Sequence, residues 1–137
     1  MRDTFVGVLG AFSAATFHLP DGRTIAVYNP CNDDPGRTHS DIGHELGHIL
    51  LDHDVREIHQ LAGHTFITCN PEQEEEATWL AGCLLLPRSL LLREAYAGTS
   101  AEAIAAKYQV SDHMARFRLN TSGVVLQARR AHKTRNP

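Results

Sequence analysis

The sequence predicts a small α+β domain: a short antiparallel or mixed sheet packed on one amphipathic helix, followed by a helical C-terminal segment. Three observations lead there. A turn signature, Leu19-Pro20-Asp21-Gly22-Arg23, separates two stretches of strand character. A capped, periodic stretch over residues 37–51 contains His44-Glu45-Leu46-Gly47-His48. Beyond Asn70 the chain offers one helix after another, each opened by a capping or breaking residue. At 137 residues it holds one domain, or one domain and a small appendage, divided here as 1–97 and 98–137.

Composition narrows the classes. Apolar residues make up 42% of the chain, ordinary for a soluble globular protein. No apolar run approaches the roughly 18–20 residues of a membrane span, so no membrane partner is expected. Phe5–Phe12 is too short and too glycine-rich for a secretory signal core, and no small-residue cleavage pattern clearly follows it. Cys31, Cys69 and Cys83 form neither a CxxC pair nor a disulfide ladder. They are expected to stay reduced, which points to the cytoplasm, and to serve as small buried apolar residues. The net charge of −3 is unevenly spread: residues 1–106 carry six basic and fifteen acidic side chains, residues 107–137 seven basic and one acidic. An acidic body with a basic end raises the question of nucleic acid.

In chain order, Met1–Gly10 is uninformative. Ala11–Phe17 and Thr24–Tyr28 are the expected strands of a hairpin, with Pro20 presetting φ and Gly22 accepting φ > 0. Asn29–Gly36 is a loop rich in Pro, Asn, Asp and Gly. The next helix runs from about Arg37 to Leu51, with Thr38 as N-cap and Asp41 completing a capping box. Ile42, Leu46, Ile49 and Leu50 recur at helical spacing as a stripe expected to face the core. In Asp52–Cys69 the apolar run Thr65–Cys69 is a candidate third strand. Asn70 as N-cap, Pro71 at the first position and Gln73 at the third begin a helix reaching Leu86. Glu72, Glu74, Glu75 and Glu76 suit the positive end of its dipole. Pro87 breaks it, and residues 87–97 form another helix.

His44 and His48 stand four apart on the predicted helix, so both imidazoles share a face and can reach one metal ion. Glu45 lies about 100° around from His44, within reach of a water at that ion without ligating it. This is a zinc-hydrolysis pattern with Glu45 as general base. Both histidines fall away from the apolar stripe, as ligands at a cleft would.

A catalytic zinc needs a third protein ligand. His53 follows His48 by five residues where the metzincin pattern needs six, and Leu51 stands where that pattern has glycine. His59 and His64 are expected at the surface. On the helix after Asn70, the expected buried face is Ala77, Leu80, Ala81, Leu84 and Leu85. Glu74 lies roughly 50° from the centre of that face, Glu75 nearly opposite, and Glu76 about 110° away on the other flank. Phase therefore selects Glu74. The competing reading is that all four acids only stabilise the helix start.

These residues resemble the ImmA/IrrE-like metallopeptidases, compact bacterial and phage proteins with a gluzincin-type site. The resemblance rests on Ala26-Val27-Tyr28-Asn29, on Arg37, and on His44 to Leu51. It rests also on a second signature, Glu74-Glu75-Glu76-Ala77, Ala81 and Leu84-Leu85-Leu86-Pro87. It implies a zincin-like fold and a Zn2+ cofactor held by His44, His48 and, as the first glutamate of the second signature, Glu74. It further implies proteolysis of a protein substrate, a transcriptional repressor cleaved under stress or during mobile-element regulation. Two features depart from the family: Thr78 stands where asparagine is usual, and Met1–Gly10 is too short for the usual leading helical segment. Tyr28, Arg37 and His39 are candidates for assisting the oxyanion, and the sequence does not choose among them. Nor does it decide zinc over manganese.

Thr99-Ser100-Ala101-Glu102 is a second capping box, followed by a short helix Ser100–Lys107, a turn Tyr108–Val110, and a helix Asp112–Asn120 capped by Ser111. With Ile104, Val110, Met114 and Phe117 as its core, the pair resembles a helix-turn-helix, a segment family members often carry. Arg116, Arg118, Arg129, Arg130, Lys133 and Arg135 suit contact with DNA or with a DNA-binding protein. The sequence favours the alternative, a helical pair packed on the body with a solvated, disordered tail: the turn has no glycine and the whole chain is acidic. Two functions thus compete. One is a zinc endopeptidase. The other is a non-proteolytic regulatory protein that binds a repressor or DNA around a structural or vestigial metal. Glu45 discriminates, because binding alone does not require it.

Overall fold

The computed structural model describes residues 13–29, 33–53, 57–61, 64–68 and 70–135. Met1–Gly10, Cys31 and Cys69 lie outside the described residues. Strands β1 (Ala14–His18) and β2 (Thr24–Tyr28) form the expected antiparallel hairpin, with Ala14 opposite Tyr28 and His18 opposite Thr24. Its turn closes through Gly22 N–H to Leu19 O at 3.0 Å, and Gly22 takes a φ of 84°, which a residue without Cβ adopts freely. The hairpin packs on helix α1 (Pro35–Leu50).

Asp34, not Thr38, caps α1. Its Oδ1 accepts from the N–H groups of Gly36 and Arg37 at 2.9 and 3.1 Å, and Pro35 opens the helix. Asp-Pro supplies a strong acceptor and a preset φ together, so the helix starts there and the Thr38 hydroxyl turns back to Asp34 O. The expected core stripe is also corrected: Ile42, Leu46 and Leu50 are 37%, 42% and 58% exposed. The residues α1 buries are Gly36, Ser40, Gly43, Glu45, Gly47 and His48 instead.

Helix α2 (Pro71–Leu85) passes over Gly43 and Gly47 at a separation only glycine allows. A Cβ on Gly47 would stand 2.7 Å from Ala77 O, and one on Gly43 would stand 2.8 Å from Leu85 Cδ1. Asn70 caps α2 as expected, Oδ1 accepting the Glu72 N–H at 3.0 Å. Ala77 and Ala81 are fully buried, but Leu84, expected inside, is exposed; Gly82 is buried instead, under the Arg118 side chain. The candidate third strand is β4 (His64–Thr68), which pairs antiparallel with β3 (Glu57–Leu61). Among the described residues it belongs to a separate two-stranded sheet.

Among the described residues four helices follow: α3 (Arg88–Tyr96), α4 (Ala101–Tyr108), α5 (Asp112–Thr121) and α6 (Val124–Arg135). Ser100 rather than Thr99 caps α4, its Oγ accepting the Ala103 N–H; Ser111 caps α5 as expected. Between α4 and α5 the chain turns through Gln109 at a φ of 51°, a left-handed position usually given to glycine. Leu86, Leu91, Ile104, Val110, Met114, Ala115 and Val124 form one core, with Phe117 partly buried against it.

Helix α6 replaces the disordered tail of the sequence reading. Val124 and Ala128 are buried, α6 packs on α3, and Arg88 reaches from α3 to Ser122 O and Gln127 Oε1. Arg118 is buried, its guanidinium donating to Leu86 O at 3.2 and 3.4 Å, so it serves the fold. Arg116 pairs with Glu102. Cys83, expected inside, is exposed. No helix among the described residues is long and apolar enough to cross a membrane.

Candidate metal centre

The close passage of α1 over α2 brings three of the singled-out side chains to one point. His44 Nε2 lies 3.0 Å from Glu74 Oε2 and 3.0 Å from His48 Nε2; His48 Nε2 lies 3.5 Å from Glu74 Oε1. One ligand atom from each falls within 4.8 Å of the others. The two imidazoles are one helical turn apart on α1, and Glu74 sits one turn before Ala77, the residue against which Gly47 is pressed.

The hydrogen bonds behind His44 fix its orientation. Thr78 Oγ1 donates to Glu74 O at 2.8 Å, so at 3.2 Å it accepts from His44 Nδ1–H. The Nε2 lone pair then faces the cluster. A bare imidazole nitrogen beside a carboxylate is an unfavourable pair of acceptors, which a cation relieves. The residues present therefore fit a divalent ion. Thr78 thus fills, through a hydroxyl, the position where the resemblance leads one to expect asparagine.

Glu45 is buried, 3% exposed, on the same helix. Its Oε2 accepts a 2.7 Å hydrogen bond from Thr16 Oγ1, so the hairpin holds this carboxylate in place. One turn earlier, Asp41 Oδ2 is buried with no hydrogen-bond partner among the described residues; Arg37 Nε lies 3.8 Å away. Desolvation raises the Asp41 carboxyl above its ordinary range, and Arg37 opposes that rise.

The other candidates are distributed as follows. Glu75 is exposed, as its phase requires. Arg37 donates to Ser13 Oγ, and His39 Nδ1 lies 3.0 Å from Gln109 O, tying α1 to the turn before α5. Tyr28 is half-exposed at the end of β2. His59 and His64 lie on β3 and β4. His53 is buried behind His48, its Nδ1 2.9 Å from His48 Nδ1, and its Nε2 lies 3.1 Å from Glu76 Oε2. Sequence reasoning missed Thr16, Thr78 and the joint use of His53 and Glu76. Only Thr78 carried a signal, since it shares a helical face with Glu74 at i+4.

Compared with known proteins, the chain matches the family profile described as the IrrE N-terminal-like domain, Peptidase M78, over residues 8–120. That span contains α1, α2 and every residue of the cluster. No curated protein and no solved structure matches the chain significantly.

Proposed function

The chain belongs to the IrrE N-terminal-like Peptidase M78 family, and on that premise we propose that it is a zinc-dependent endopeptidase acting on a protein substrate. The observation that carries the reading is the convergence of His44, His48 and Glu74, with the buried carboxylate of Glu45 on the next residue of the same helix. Two imidazoles and a carboxylate are the donor set of a hydrolytic zinc site with one position left open. His44, His48 and Glu74 would hold Zn2+, which when bound supplies Lewis acidity to the scissile carbonyl and to water.

The remaining work falls to the chain. Glu45, oriented by the Thr16 hydroxyl, accepts a proton from the attacking water and delivers it to the departing amide nitrogen. The C–O bond forms, the C–N bond breaks, and Glu45 ends as it began. Thr78 keeps the His44 ring turned toward the ion. The substrate proposed is a transcriptional repressor, in keeping with the two signatures that resemble the family. Contact with DNA is not part of this reading, and the exposed Arg129, Arg130 and Lys133 of α6 leave it as a separate question.

Glu45→Gln tests the assignment. The variant should retain its metal, measured by elemental analysis after dialysis, and lose proteolysis by about 10²–10⁴-fold. Undiminished cleavage by Glu45→Gln would remove this residue from the mechanism.

A further inference from the structure

Helix α1 ends in a way that serves the cluster. Leu51 is its C-cap and Asp52 follows in the left-handed conformation, φ 53°. Asp52 N–H bonds to Ile49 O at 3.2 Å and His53 N–H bonds back to His48 O at 3.1 Å. These are the paired bonds of a Schellman cap, which places the side chain two residues past the cap against the side chain three residues inside the helix end. The usual occupants of those two places are apolar. Here they are His53 and His48, and the contact is a hydrogen bond between Nδ1 atoms at 2.9 Å, on the side of the His48 ring away from His44 and Glu74.

The direction of that bond is set one link further out. Glu76, two residues after Glu74 on α2, places Oε2 3.1 Å from His53 Nε2. A carboxylate only accepts, so the His53 proton sits on Nε2 and its Nδ1 is the acceptor. His48 must then donate from Nδ1, which leaves its Nε2 lone pair on the side of His44 and Glu74. The reverse arrangement would set a bare His53 Nε2 against the carboxylate and would carry a proton on His48 Nε2, where an ion would bind.

We propose that His53 and Glu76 are positioning residues for the metal centre: the helix cap delivers His53 behind His48, and Glu76 polarises the pair so that His48 presents a metal-ready Nε2. This rests on the reading of His44, His48 and Glu74 as ligands. Outer partners of ligating histidines are commonly worth 10- to 100-fold in metal affinity, and that is the effect to be read.

The test measures zinc dissociation constants by chelator competition, with the visible absorption of the cobalt(II) form as a second readout of ligand geometry. His53→Phe keeps the ring volume and removes the acceptor; it should bind zinc about 10- to 100-fold more weakly. His53→Asn places an amide oxygen near the position of Nδ1 and should recover most of the loss. Because His53 is buried and its variants can unfold, Glu76 gives a second arm: its side chain is 65% exposed, so Glu76→Ala should leave the fold intact, which circular dichroism checks. Glu76→Ala should weaken binding several-fold, and Glu76→Gln, whose amide oxygen still accepts, should restore it. Wild-type affinity and an unchanged cobalt spectrum in both Glu76→Ala and folded His53→Phe overturn the proposal while leaving the ligand assignment standing. If His53→Phe does not fold, Glu76→Ala alone decides. A wild-type chain that takes up no ion overturns the ligand assignment and the proposal together.

Discussion

Glu74 and Glu75 stand about 100° apart around α2; one carboxylate lies 3.0 Å from His44 while the other faces solvent. Because the Glu74 carboxylate meets both histidines while Glu75 is exposed, the two alanine variants should separate cleanly. Glu74→Ala removes one of three ligands and should cost at least about 100-fold in zinc affinity, beyond what an outer partner costs. Glu75→Ala should retain the wild-type affinity. Metal content after dialysis against a weak chelator reads both, and equal loss in the two would mean that the acids act only through the helix start. Glu74 was legible in the sequence because helical phase is a local property, needing only the positions of Ala77 and Ala81 on the same helix. Thr16 was not, because its hydroxyl meets Glu45 across twenty-nine residues of chain, and no local pattern encodes a pairing between a strand and a helix.

At the scale of elements, the contact that assembles the cluster is made of small residues. Gly43 and Gly47 let α1 ride on α2, and the two would respond differently to a methyl group. At Gly47 the group met is the backbone carbonyl of Ala77, 2.7 Å from the new Cβ, which cannot rotate aside. At Gly43 it is the tip of Leu85, which can. Gly47→Ala should therefore destabilise the fold by about 1–3 kcal/mol, partly offset by the better helix propensity of alanine, and should weaken metal binding by displacing Glu74. Gly43→Ala should cost less and leave the metal affinity close to wild type. Urea midpoints and chelator competition on the two variants check the order; the reverse order would mean that the approach at Gly47 does not set the site. The same contact explains why the stripe Ile42, Leu46, Leu50 misled. Periodicity weighs large apolar side chains, whereas the buried face here is glycine and functional polar groups, which that weighting cannot see. The caps at Asn70 and Ser111 were legible because one side chain beside one backbone N–H determines them. Helix α6 was missed because its sequence is mostly polar and its apolar positions acquire meaning only against α3.

On the scale of the whole molecule, the apolar core continues across the point where the charge of the chain changes sign: Leu86 and Leu91 pack with Ile104, Val110, Met114 and Val124. One polar device joins the same parts. Glu94 of α3 is 4% exposed and receives hydrogen bonds from Lys107 Nζ at 2.7 Å, Tyr108 Oη at 2.5 Å and Thr99 Oγ1 at 2.9 Å. A buried carboxylate so fully satisfied stabilises its charged form. The Lys107 hydrogen bond, with those from Tyr108 and Thr99, brings the Glu94 carboxyl from an ordinary 4.5 down to about 2. The sign follows from linkage: a carboxyl that binds its proton less readily when folded adds stability above its unfolded pKa and loses it as pH falls toward the folded value. The contribution is therefore whole above about pH 5 and declines between about pH 4.5 and 2. Glu94→Gln cannot titrate there, so the difference in urea midpoint between wild type and this variant isolates the effect from every other acid group. That difference should be largest at neutral pH and shrink steadily below about pH 4.5. A difference that stays constant down to pH 2 would mean that shape at this position, not the charge on Glu94, joins α3 to α4.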